Sequence, residues 1–152
     1  MAFPHYYSAR AQASSANGVV ISSGGVPSLR TAPPPEFGGP GNQWSPETLV
    51  VAAIADCIIM TFQSIAHAKP FVYTELVCDV QGKLDRQSRV TSFTEFRVAV
   101  RLGLPADAAS EHDARGLVEK AKEYCLLTNS LKAAVTLETT IHFDEPAYVS
   151  VA

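Results

Sequence analysis

The sequence predicts an α+β fold in which antiparallel sheets accompany one long central helix, and three observations carry that prediction. Residues 49–65 are apolar around almost the whole helical circumference, a pattern that calls for cover on most sides. "FVYTELVCDVQGKLDR" and "RVTSFTEFRVAVRLGL" alternate apolar and polar residues, the period of half-buried strands. Residues 107–124 return to helical periodicity before a last β-prone run, so strands and helices are interspersed rather than strictly alternating. With 152 residues, 47% of them apolar, the chain is expected to form a single domain over 1–152.

The elements follow in order. "HYYSARAQASSANGVVISSGG" reads as two short strands around a turn at Asn17-Gly18, a pair that favours a tight hairpin. A long loop is expected from Pro27 to Trp44, where Pro33, Pro34, Pro35 and Pro40 interrupt any helix or central strand. Ser45-Pro46-Glu47 then has the chemistry of a helix start: a capping hydroxyl, proline at the first helical position, and an acid in the first turn. The helix is expected to begin at about Pro46, to stop before Pro70, and to be buried within the domain or within an oligomer. Two strands with a connection at Gln87-Ser88 come next. Phe93, Phe96 and the run from Val98 to Leu104 do not keep one register, which predicts a bulge. A second helix is read over Asp107 to Tyr124, with Leu117, Val118, Ala121 and Tyr124 on one stripe and Cys125 at its C-terminal end. "AAVTLETTIHF" closes as a strand.

Charge and composition narrow the function classes. Net charge is −3, and the 12 Lys and Arg residues form no run, so the electrostatic footprint of a nucleic-acid protein is missing. Asp56, Gln63, Ser64 and His67 interrupt the apolar segment and no second span exists, which favours a buried helix over a membrane helix. "MAFPHYYSAR" lacks the basic start and apolar stretch of a secretory signal, and cytoplasmic residence is the expectation. Cys57, Cys78 and Cys125 are an odd count in such a chain and argue against a structural disulfide framework. CxxC and HExxH patterns are absent and the histidines are scattered, so neither a metal nor another cofactor is called for.

On local grounds alone the reactive residue types have two readings each. Cys57 is an inert core thiol or a reagent, since apolar burial by itself raises a thiol pKa. Cys125 is equally open, and Cys78, alternating within a strand, reads as packing. Glu47 suits the helix dipole without further purpose. Arg10 and Arg30 read as solvated charges.

Taken together, "SPETLVVAAIADCIIMTF" and "EKAKEYCLLTNSL" resemble the OsmC/Ohr family of thiol-dependent hydroperoxide reductases, in its OsmC-like branch. Glu47 and Cys57 match the family's ten-residue spacing from a helix-start glutamate to a first cysteine, and Cys125 in "YCLLTN" matches its second cysteine. The resemblance implies an intertwined homodimer and an oxidative-stress function. A Cys57 thiolate would attack an organic or small hydroperoxide, the resulting sulfenic acid would condense with Cys125, and an external dithiol, lipoylated protein or a thioredoxin-like one, would reduce the disulfide. The family also uses an arginine beside the thiolate. Here the turn that carries it in one branch reads "SSANG" and the position used in the other is Phe37, so Arg30 is the preferred replacement and Arg10 the second choice. Asp56 is turned about 100° from Cys57 around the helix, yet a nearby anion opposes thiolate formation. Glu47 and Cys57 are about 15 Å apart along one helix, so a shared site requires Glu47 from the other subunit. The competing reading, supported by the arginine gap, is a non-catalytic relative that binds a small apolar ligand or responds to redox state.

Overall fold

The computed structural model describes residues 3–15, 18–108 and 110–145. They fall into two compact units, Met1–Val50 and Val51–Ala152.

In the first unit three short strands, β1 (Arg10–Ser14), β2 (Gly18–Ser22) and β3 (Leu29–Thr31), form an antiparallel sheet in that order. The hairpin is present, with Ser14 paired to Gly18. Gly18 takes the left-handed φ of 68° for which glycine has no steric cost. Asn17, the other half of the expected turn, lies outside the described residues. The loop expected from Pro27 to Trp44 is not featureless: it contains β3 and a single 3-10 turn, Pro35–Phe37. Proline forbids a central strand, but β3 is an edge strand with Pro27 and Pro33 outside it. The segment folds back on itself, with the Ala32 N–H donating to the Trp44 carbonyl at 2.9 Å. Gly39 lies so close to the Pro33 carbonyl that no side chain would fit there.

Helix α1 (Pro46–His67) starts in the first unit and continues into the second. Its start is fixed by a reciprocal cap. The Thr48 N–H donates to Ser45 Oγ at 3.2 Å and the Ser45 N–H to Thr48 Oγ1 at 2.8 Å, satisfying two backbone donors. Burial on nearly every side, as the composition predicts, is not found within the chain. Ile54, Ile58, Phe62 and Ala66 form one buried stripe at four-residue spacing, whereas Met60 is 60% exposed. Apolarity requires cover but does not say what supplies it, and the elements of one chain cover one stripe. By length and composition alone α1 would also suit a bilayer.

The second unit is built on β4 (Glu75–Gln87) and β5 (Val90–Leu104), antiparallel and joined by Ser88 and Arg89. Both joining residues have positive φ, 48° and 73°, as a two-residue primed turn requires. The connection is thus one residue later than the sequence indicates. Lys83 pairs with Glu95 and Leu84 with Phe93, leaving Thr94 as the extra residue of the expected bulge. Beyond the bulge, Phe96, Val98, Val100, Leu102 and Leu104 are buried, while Arg97, Ala99 and Arg101 face solvent.

Helix α2 (Glu111–Glu123) begins four residues later than its periodicity indicates. Pro105 to Ala108 close a separate turn, and Ser110 accepts from the Asp113 N–H at 3.2 Å, so the cap sits there. Cys125 is not the end of this helix but the N-cap residue of a further short one, α3 (Leu126–Ser130). The final strand β6 (Ala134–Phe143) pairs with β5 in parallel, from Glu95 opposite Ala134 to Leu104 opposite Phe143. The sheets are mostly antiparallel, as expected, and β6 is the parallel exception. The α2–α3 segment is a crossover that carries the chain back to the start of β5, and a crossover yields a parallel neighbour. The α+β class stands.

Candidate active site: a thiol pair at the α2–α3 junction

The junction between α2 and α3 is a backbone problem solved by side chains. The last carbonyls of α2 lack helical partners. Thr128 Oγ1 donates to the Lys122 carbonyl at 3.2 Å, and Asn129 Nδ2 to the Glu123 carbonyl at 2.8 Å. Thr128 Oγ1 also lies 3.1 Å from the Cys125 carbonyl, so one buried hydroxyl fixes both ends of the bend. Arg115 anchors α2 to the sheet by donating to the Thr139 carbonyl of β6 at 2.7 Å while pairing with Glu111. These contacts hold Cys125, fully buried, against α1.

There it meets Cys57. Cys125 Sγ donates to Cys57 Sγ at 2.9 Å, and both are free cysteines. Burial pushes the Cys57 thiol up, but the Cys125 donor, the backbone N–H groups of Leu127 and Leu126 and the Thr61 side chain all stabilise the thiolate and carry its pKa below the ordinary thiol value. The backbone donors belong to the first turn of α3, whose N–H groups have no helical partner. Cys125 moves the other way, raised by burial and by donating to Cys57. The pair is therefore polarised, the thiol on α1 being the more acidic and the one at the junction the less. Asp56 is exposed, where solvent and salt screen its charge.

Cys78 lies on β4 and is raised to about 11, by burial, then by the charges of Asp79 and Cys125. The structure thus brings Cys57 and Cys125 together. Arg30 and Glu47 belong to the first unit, on β3 and in the first turn of α1. Oε2 of Glu47 is a buried side-chain oxygen with no hydrogen-bond partner among the described residues. No cluster of three His, Cys, Asp or Glu side chains is gathered among the described residues to hold a metal ion.

Sequence reasoning missed the supporting groups. Thr61 stands one helical turn after Cys57, a spacing that could have singled it out. Thr128 and Asn129 fall within "YCLLTN", a motif that by itself gives them no role. The Leu126 and Leu127 donors are main-chain atoms and leave no signature in residue type.

Residues 39–140 match the family model described as OsmC-like protein. The chain belongs to the OsmC-like family. It is 29% identical over 94 residues to the peroxiredoxin OsmC of Escherichia coli and, to the same extent, to that of Shigella flexneri. The match takes in 62% of this chain and 64% of the length of those relatives. Among solved structures, an OsmC-like protein of unknown function from Vibrio cholerae superposes with a TM-score of 0.80 at 19% identity, over 90% of this chain and all of the other. An organic hydroperoxide resistance protein from Elizabethkingia anophelis gives 0.75 at 16% identity, over 95% of this chain and all of the other. At such identities these two speak for the fold.

Proposed function

We propose that this member of the OsmC/Ohr family is a thiol-dependent peroxidase that reduces organic or small hydroperoxides in defence against oxidative stress. The observation that carries the reading is the polarised pair, Cys57 lowered and Cys125 raised at 2.9 Å. In the first step the Cys57 thiolate attacks the terminal peroxide oxygen. The O–O bond breaks, the alkoxide leaves as alcohol after taking a proton, and Cys57 becomes a sulfenic acid. The Cys125 sulfur then attacks Cys57, water departs with the sulfenic oxygen, and a disulfide remains. An external dithiol, a lipoylated protein or a thioredoxin-like one, restores both thiols and is itself oxidised. The chemistry draws on no metal or other cofactor, and the reading takes the protein to be cytoplasmic.

The working unit in this reading is a homodimer. The uncovered apolar sides of α1, including Met60 at 60% exposure, need a partner, and a second copy supplies an equally apolar one. Glu47 then serves Cys57 from the second copy, because ten residues of helix separate them by about 15 Å in one chain. Its unpartnered buried oxygen suits a guanidinium donor, and Arg30 is the residue assigned to that role, ahead of Arg10. The competing reading, a non-catalytic binder of small apolar ligands, is separated by one assay: peroxide consumption with dithiothreitol or a lipoyl reductant. Stoichiometric or no consumption in the presence of excess reductant would end the peroxidase reading. Mixing Glu47→Gln with Cys57→Ser chains tests the composite site, since heterodimers with one intact site regain activity.

A further inference from the structure

A cavity lies in the second unit, between the segment that follows α1 and the flank of α2. Its volume is about 410 Å³, and its lining includes Lys69, Phe71, His112, Gly116, Leu117 and Lys120. None of the site residues proposed above lines it.

Two features of this cavity have no account in the packing. The first is Gly116. It sits in the interior of α2, where glycine is disfavoured relative to alanine. A Cβ at that position would meet no atom within 4 Å, so no close approach of another element requires the glycine. What the missing side chain does is leave the cavity open beside Leu117, which is 5% exposed, and the half-buried Phe71. The second is charge. Lys69 and Lys120 both reach the cavity, and neither ammonium is engaged in any salt bridge among the described residues. The acid on the rim, Asp113, already accepts from Ser110 Oγ at 2.8 Å. Two cations and one occupied carboxylate leave an excess of positive charge over an apolar floor.

We propose that this cavity is a binding site for a small amphipathic carboxylate, its apolar body lying on Phe71, Gly116 and Leu117 and its anionic head between Lys69 and Lys120. An apolar wall with a few convergent polar groups is the usual make-up of a small-molecule site. The ammonium groups stay hydrated when the cavity is empty and gain charge-assisted hydrogen bonds when the head group arrives. The site is independent of the thiol chemistry and stands whether or not the peroxidase reading does.

The probe is octanoate, titrated into the full-length protein and followed by backbone amide shifts, with octanol as the uncharged control. Saturable shifts at Phe71, Gly116 and Lys120 are expected with octanoate, and octanol is expected to bind about tenfold more weakly or worse. Lys69→Gln and Lys120→Gln should each weaken octanoate by about tenfold. Gly116→Leu should abolish binding by filling the cavity. If that variant does not fold, Gly116→Ala, which favours the helix, should still weaken binding measurably. Absence of saturable octanoate binding, equal affinity for octanol, or shifts that survive the Gly116 and lysine substitutions would each overturn the proposal.

Discussion

Cys57 and Cys78 begin from similar circumstances: each is a half-buried thiol on a regular element, and burial pushes each upward. They end on opposite sides of an ordinary thiol because of what stands beside them. On α1, Cys57 faces a thiol donor, two helix-start N–H groups and a hydroxyl. On β4, Cys78 is raised further by the nearby Asp79 and Cys125, and its backbone is committed to the sheet ladder. Thiol acidity here thus follows where unsatisfied donors point, since burial acts on both thiols in the same sense.

The largest expected difference follows removal of the sulfurs themselves. Cys57→Ser should lower peroxide consumption by about 10³-fold or more, and Cys78→Ser should leave it within about twofold, read in a coupled assay with dithiol. Comparable losses in the two variants would abolish the distinction. Cys125→Ser should permit one reduction per chain and then stall, with the sulfenic acid at Cys57 trapped by dimedone and seen by mass spectrometry. Sustained turnover in that variant with a bulky reductant would remove Cys125 from the cycle.

A smaller and sharper contrast lies in pH. A thiol reacts as its thiolate, so a lowered pKa shifts the rise of the alkylation rate to lower pH and a raised one shifts it to higher pH. Alkylation of Cys57 by iodoacetamide should therefore reach its plateau below the pH of an ordinary cysteine, while Cys78 should accelerate only as pH approaches about 11. Cys125→Ala should move the Cys57 profile toward higher pH by deleting its donor. The smallest effect is reserved for Thr61→Val, which removes a hydroxyl beside Cys57 whose proton donates to the Cys57 carbonyl at 2.7 Å. About a two- to fivefold fall in alkylation rate near neutral pH is expected, with little change at high pH.

How much of this was legible in the sequence depended on how local the cause was. The start of α1 could be read because Ser45, Pro46 and Thr48 settle it among themselves. The bulge at Thr94 could be read because it breaks an alternation. The direction of β6 could not, since alternating apolar residues look the same in parallel and antiparallel neighbours. Nor could the exposed sides of α1, because hydropathy records the need for cover and not its source. The approach of Cys57 to Cys125, 68 residues apart, was legible only through resemblance to a family, and the main-chain donors that polarise the pair were not legible at all.

The parallel pairing of β6 also bears on how the molecule is made. The junction that carries Cys125 lies inside the β5-to-β6 crossover, so its docking depends on the last strand finding its register across ten paired residues. Such contacts close late, because the entropy of ordering the intervening chain is spent before they return anything. Until β6 has paired, α2 lacks the anchor that Arg115 makes to the Thr139 carbonyl, and the approach of Cys125 to Cys57 is expected to come with the completed sheet. In the peroxidase reading, oxidant sensitivity would then arrive only with the completed topology.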